Sequence, residues 1–211
     1  MAPGQPQLRL FGIPVRVEPV FLVIMALMGL NLAEEDWRYV LIWVGVAFVS
    51  ILVHELGHAL TLKGFGQPSQ IHLQGFGGVT LSARRLGRNR SIAVSLAGSV
   101  TALVLLWLPA RTLNGSDWIL HQSLWVQNAV LFAAYVNLWW SVANLLPIRP
   151  LDGGNVATEL FGIRTARRLS LVVAAAGGIW ALRHGQQFAG IFALLLAFQS
   201  WQEISLENRA A

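Results

Sequence analysis

The chain has 211 residues, and adding its 20 Gly to the 55% hydrophobic share while removing the two Tyr gives roughly 64% apolar residues, against about 45 to 50% in a soluble domain. Charged residues are only 12%, and the mean hydropathy is +0.57. These values exclude a disordered chain, an ordinary soluble enzyme and a nucleic-acid binder that works through a basic face.

The net charge of +5 comes from 15 basic and 10 acidic side chains, so their placement matters more than their sum. There is no Cys, which removes disulfides and thiolate metal ligands. The opening MAPGQPQLRL lacks the charged start and apolar run of a cleavable leader, so insertion into a membrane is expected to use internal helices.

In chain order, Leu8 to Val17 reads as strand-like, and apolar stretches follow at 17–32, 38–62, 91–108, 125–146, 168–182 and 187–202. Crossing about 30 Å of hydrocarbon takes about 20 helical residues. The expectation is therefore an all-α polytopic membrane protein of about six transmembrane helices. The last two stretches are short and meet at Arg183, His184 and Gly185, as two thin spans or as a hairpin that does not fully cross.

Basic residues gather in cytoplasmic loops. With a cytoplasmic N-terminus and six crossings, one side holds twelve of them: Arg9, Arg16, Lys63, Arg84, Arg85, Arg88, Arg90, Arg149, Arg164, Arg167, Arg168 and Arg209. The other side holds Arg38, Arg111 and Arg183, next to the acidic Glu34, Glu35 and Asp36. That asymmetry predicts a multi-pass protein of the cell membrane with both termini cytoplasmic. The arginines at 84–90 read as a topology signal and a contact with anionic lipid headgroups, and no nucleic-acid partner is expected. Trp125, Trp139, Trp140, Trp180 and Trp201 read as interfacial anchors and packing.

The longest stretch outside the helices, 63–90, has 28 residues, whereas a folded domain needs roughly 50. A single membrane-embedded domain over 1–211 is expected, with no appended PDZ, CBS or other regulatory domain. Control would then fall to a separate regulatory protein or to substrate supply.

The second stretch carries the chemistry. In VAFVSILVHELGHALTLKGF, His54 and His58 lie one helical turn apart on one face, about 6 Å along the axis, where both imidazoles reach one ion. Glu55 sits beside that face, within reach of a water on the ion. With 5 His in the chain, chance predicts roughly 0.004 such His-Glu-x-x-His matches. A charge near the middle of a membrane helix costs about 2.5 to 3.5 kcal/mol on insertion scales, so hydrogen-bonded packing is the weaker explanation of these residues.

A catalytic zinc takes three protein ligands and keeps one position for water. His72, His121 and His184 fall in loops, and Asp152, in NLLPIRPLDGGN, is the better third candidate. Pro147 and Pro150 end the fourth helix, and Gly153 and Gly154 permit backbone shapes that turn the chain back toward the second. Taken alone, Asp-Gly-Gly is also the composition of a plain turn.

His54-Glu-Leu-Gly-His58 in a membrane helix, followed by Asn144-Leu-Leu-Pro-Ile-Arg-Pro-Leu-Asp152-Gly-Gly, resembles the site-2 protease family of intramembrane zinc metalloproteases. The resemblance covers most of the chain. It implies one zinc held by His54, His58 and Asp152, Glu55 as catalytic base, and Asn144 touching substrate near the scissile bond; Asn144 as a cap on the broken fourth helix is an equal alternative. Over Ile71–Ser82 apolar residues alternate on each side of a Gly-rich turn, the pattern of a hairpin, and the resemblance implies that this is a membrane-dipping strand pair near the site, with Leu8–Val17 as neighbouring strands. The edge of that hairpin at Gly77, Gly78 and Val79 is the expected contact for an extended, unwound transmembrane substrate. A purely structural hairpin is the other reading.

Two positions depart from the family pattern. Gly98-Ser99-Val100-Thr101-Ala102 stands where Gly-Pro-x-x-Asn is common, and Arg149 where an apolar residue or Pro is common.

The implied activity is hydrolysis of a peptide bond within or near a transmembrane segment of a membrane protein, as in regulated intramembrane proteolysis. The rivals are a metal-binding or metal-transporting membrane protein that uses the same His pair, and an inactive protease relative that acts as a scaffold.

Overall fold

A computed structural model describes residues 8–34, 36–84 and 86–210; Glu35 and Arg85, assigned above to the outer acidic cluster and the inner basic run, lie outside the described residues. The chain divides into two compact units, 1–86 with 97–141, and 87–96 with 142–211.

The first unit opens with two short strands, β1 (Leu8–Leu10) and β2 (Ile13–Val17). Helix α1 (Pro19–Met28) starts on Pro19, whose missing N–H costs nothing in a first turn, and stops at Gly29 after ten residues. A 3-10 turn (Leu30–Glu34) leads to α2 (Trp37–Gly64). The stretch expected at 17–32 is thus a short helix plus a turn. The cause lies at Gly29: a Cβ there would sit 2.6 Å from Trp43 Cδ1, and the same indole donates from Nε1 to the Met25 carbonyl at 3.0 Å. Trp43 thereby pins the end of α1 against α2.

Asp36 caps α2, its carboxylate accepting from the Arg38 N–H at 2.9 Å, and the chain leaves the helix through Gly66 at φ +72°. Strands β3 (Ser69–Gln74) and β4 (Gly77–Ser82) then form the expected hairpin around Gly75, which takes φ +55°. The sheet order is β1-β2-β3-β4, with β2 and β3 parallel and the outer pairs antiparallel. The N-terminal strands are therefore neighbours of the hairpin, as expected, and β4 is an edge.

One face of the sheet packs on α1 and α2. Ile13, Val15, Ile71 and Leu73 meet Phe21, Met25, Ile51, Leu56 and Ala59 in one buried core. This is the period of two in β3 locking onto the period of 3.6 in α2.

Helix α3 (Arg88–Ala102) continues through a π-helical stretch (Leu103–Trp107) into α4 (Leu108–Asn114), which starts with Pro109 in its first turn. A short α5 (Asp117–Leu120) precedes α6 (Leu124–Leu145). In the second unit follow α7 (Asp152–Phe161), α8 (Ile163–Arg183) and α9 (Gln187–Ala210). Helices α8 and α9 form a close hairpin: a Cβ on Gly178 would lie 3.1 Å from the Gly190 carbonyl, and the reverse holds. At its open end Arg167 pairs with Glu203 at 2.8 Å and with Glu207 at 2.9 Å, which extends both helices beyond the apolar stretches seen in the sequence.

All six apolar stretches are helical over most of their length. Among the described residues, three helices are long and apolar enough to cross a membrane: Trp37–Gly64, Arg88–Asn114 and Gln187–Glu207. Helix α8 has 21 residues, but its first two turns carry Arg164, Arg167 and Arg168. A mostly helical membrane protein with a small sheet is the architecture expected from the sequence.

Candidate metal centre

Helix α2 turns polar over its last third. His54, Glu55 and His58 are 2%, 5% and 6% exposed, in a helix whose other buried residues are apolar or small. Four residues apart, the imidazoles come together as helical geometry requires, Nε2 to Nε2 at 3.1 Å. Two nitrogens at that distance share either a proton or a cation. Ligands at about 2.05 Å on a tetrahedral zinc stand about 3.3 Å apart, so the pair fits that ion.

The space next to these nitrogens is kept open by a glycine. A Cβ on Gly98 would overlap His58 Nε2 and lie 2.7 Å from His54 Nε2. One turn along, Gly57 of α2 accepts the close approach of residues 97–101: its Cβ would stand 2.6 Å from Thr101 Oγ1 and 2.7 Å from the Ala97 carbonyl. Two glycines, one in each segment, therefore let the backbones meet with a small cradle at the imidazoles. Ser99, which follows Gly98 where the resemblance leads one to expect Pro, is fully buried.

Glu55, on the same turn, contacts β4. Its Oε2 accepts from the Thr80 hydroxyl at 2.6 Å. A Cβ on Gly78 would lie 2.7 Å from Glu55 Oε1, so the carboxylate occupies the room that a side chain would take. The expected substrate-contact residues thus divide by direction. Gly78 faces Glu55, Gly77 lies against Trp140 Cζ2, 3.0 Å from where its Cβ would be, and Val79 is 41% exposed.

Buried polar groups continue up α2 from the His54–His58 turn. Ser50, one turn before His54, accepts from Asn137 Nδ2 of α6 at 2.9 Å, and Ser141 Oγ donates to the Ser99 carbonyl at 3.5 Å.

In the second unit, Asn144 occupies the last turn of α6, and Asp152 is the first residue of α7. The loop between them is held rigidly. Arg149 N donates to Ser170 Oγ at 2.9 Å, the Arg149 guanidinium donates to Thr158 Oγ1 at 3.1 Å, and Leu151 N donates to the Ile148 carbonyl at 2.8 Å. The glycines after Asp152 have a different role from the one expected. Neither takes a positive φ; both are helical residues at the start of α7. Their Cβ atoms would strike main chain, that of Gly153 the carbonyls of Leu145 and Leu146, and that of Gly154 Ile148 C and O at 2.5 Å. They are glycines because the loop folds back onto the helix start, which brings Asp152 into position at the N-terminus of α7.

Comparison with known proteins agrees with this architecture. The sequence profile of Peptidase family M50 matches residues 109–182. A protein of Synechocystis sp. named zinc metalloprotease sll0528 is 31% identical over 164 residues, 72% of this chain and 42% of that protein. The zinc metalloprotease MJ0392 of Methanocaldococcus jannaschii is 23% identical over 176 residues, 79% of this chain and 48% of the relative. The chain therefore spans less than half the length of either. Among solved structures, the site-2 protease from Methanocaldococcus jannaschii superposes with a TM-score of 0.61 at 17% identity, covering 93% of both chains. The chain has the site-2 protease fold, and these matches support the site-2 protease family read from its two motifs.

Proposed function

We propose that the chain is a zinc metalloprotease that hydrolyses a peptide bond within or near a transmembrane segment of a membrane protein. The carrying observation is the buried His54–Glu55–His58 turn in a membrane helix, with facing Nε2 atoms beside Gly98. Zinc is proposed on His54, His58 and Asp152; in support, the two imidazoles face each other Nε2 to Nε2 at 3.1 Å, and Asp152 stands in the Leu-Asp-Gly-Gly motif that the resemblance pairs with them. Two imidazoles and a carboxylate are a catalytic zinc donor set that keeps one position for water. The names of the curated relatives support the same reading.

When bound, zinc supplies a Lewis acid and activates water near neutral pH. The rest belongs to the chain. Glu55 takes the proton of the attacking water on a carboxylate oxygen and delivers it to the leaving amine as the C–N bond breaks, leaving a free acid and a free amine. The substrate must present an extended main chain, because a helix hides its amides in its own hydrogen bonds. β4, at the sheet edge with Gly77, Gly78 and Val79, offers strand addition to it, and Asn144 is proposed to hold the substrate main chain near the scissile bond. In this reading the protein is multi-pass in the cell membrane with cytoplasmic termini, lies among anionic lipids, and acts under the control of a separate regulatory protein.

The test is made on the purified full chain in lipid vesicles, with a synthetic membrane-spanning peptide as substrate. Zinc-dependent cleavage that a chelator abolishes and added zinc restores is the expected result. Zinc flux across the vesicles without cleavage overturns it in favour of the transporter.

A further inference from the structure

We propose that Thr80 is a positioning residue for the general base: its hydroxyl holds one oxygen of the Glu55 carboxylate and leaves the other free to meet the attacking water. The inference rests on the reading of Glu55 as base given above. The Thr80 hydroxyl has one proton and two acceptors within reach, Glu55 Oε2 at 2.6 Å and the Glu55 carbonyl at 3.2 Å. The shorter contact has the length of a charge-assisted O–H···O⁻ bond and takes the proton. The helix already supplies the carbonyl with a donor, the N–H four residues on.

Two residues of β4 act together. Gly78 and Thr80 share the strand face turned to α2, while Val79 and Leu81 on the other face are 41% and 43% exposed. Gly78 leaves the volume that the carboxylate fills, with Oε1 2.7 Å from its absent Cβ. Thr80 fastens the opposite oxygen. A carboxylate on a Glu side chain otherwise turns about three bonds, and each turn moves the proton acceptor. The anchoring strand is also the sheet edge. An extended substrate chain added to β4 and the base that serves it are thus both referenced to one strand, which holds the proton acceptor in register with the substrate backbone.

Packing alone does not account for Thr80. A valine would fill the same volume with higher strand propensity and no hydroxyl to desolvate.

The test compares Thr80→Val and Thr80→Ser with native full-length protein, zinc-loaded, on the membrane-spanning peptide. Thr80→Val is expected to lower kcat roughly 10- to 100-fold with KM and zinc content unchanged, while Thr80→Ser, which restores the hydroxyl, stays within a few-fold of native. A second readout needs no metal. The infrared difference between native and Glu55→Gln metal-free protein isolates the Glu55 carboxylate bands, and these shift in Thr80→Val but not in Thr80→Ser. Should the valine protein unfold or lose zinc, Thr80→Ala removes the same hydroxyl and is held to the same two outcomes.

Native kcat with unshifted bands overturns the proposal, and so does a rise in KM alone, which would make Thr80 a substrate contact. If Glu55→Gln cleaves like native protein, it is the reading of the base that fails. If Glu55→Gln is inactive and the Thr80 variants are native, the positioning role alone fails.

Discussion

Helices α2 and α9 both satisfy the length and hydropathy of a membrane span, and both contain ionisable residues. In α9 these stand in the last turns, where Glu203 and Glu207 are 29% and 27% exposed in their side chains and pair with Arg167. In α2 they stand among the most buried residues of the helix, and two of them present nitrogens to each other at 3.1 Å. Ion pairing at the end of a hairpin offsets charge at little cost and does not ask for a ligand. A buried pair of imidazoles facing each other at hydrogen-bonding distance shares either a proton or a cation, and is placed to take up a ligand. Composition alone does not separate the two helices; burial and direction do.

The comparison is broken most severely by removing a ligand. His54→Ala or His58→Ala is expected to abolish zinc binding and cleavage together, checked by metal analysis and peptide hydrolysis of the same preparation. Retained stoichiometric zinc in either protein would remove the metal centre from α2. Gly98→Ala is expected to weaken zinc roughly 10- to 100-fold in a chelator competition, since the new methyl enters the space before both Nε2 atoms. Native affinity in that variant would mean that the cradle has no part in metal binding.

Gly153→Ala acts on the other unit. Its methyl meets the carbonyls of Leu145 and Leu146, so the start of α7 must move and cleavage should fall by at least roughly tenfold, a loss equal to one misplaced ligand. Unchanged activity would show that the loop has slack. The smallest effect is expected in α9's own partner. Arg167→Gln should lower the thermal unfolding midpoint by a few degrees and leave kcat and zinc content native, because surface ion pairs contribute little. A large loss of activity there would erase the distinction between the two helices.

The parts of the molecule that were legible in the sequence are those with a local period or a fixed spacing. His54-x-x-x-His58 declares its own geometry, and the alternation on either side of Gly75 gives the β3–β4 hairpin directly. The Leu-Asp-Gly-Gly motif located Asp152 at a chain reversal, although its glycines serve close backbone contact and not a left-handed turn. What escaped the sequence comes from segments distant along the chain. Gly98 meets residues 40 and 44 positions earlier, and Thr80 meets a residue 25 earlier, and neither carries any periodic signal. The length of α1 was hidden for the same reason, since its end is set by Trp43 of the next helix. The added turns of α8 and α9 were hidden because a hydropathy window sees Arg167 and Glu203 as two penalties and not as a pair.

The central claim is that Glu55 performs the proton transfer at a zinc that it does not itself hold. Glu55→Gln keeps the shape of the side chain and removes its basicity. Metal content and cleavage of the membrane-spanning peptide, measured on one preparation beside native protein, give the decisive comparison. The account predicts native zinc with cleavage reduced by roughly 10²- to 10⁴-fold. Cleavage at the native rate with native zinc would contradict it.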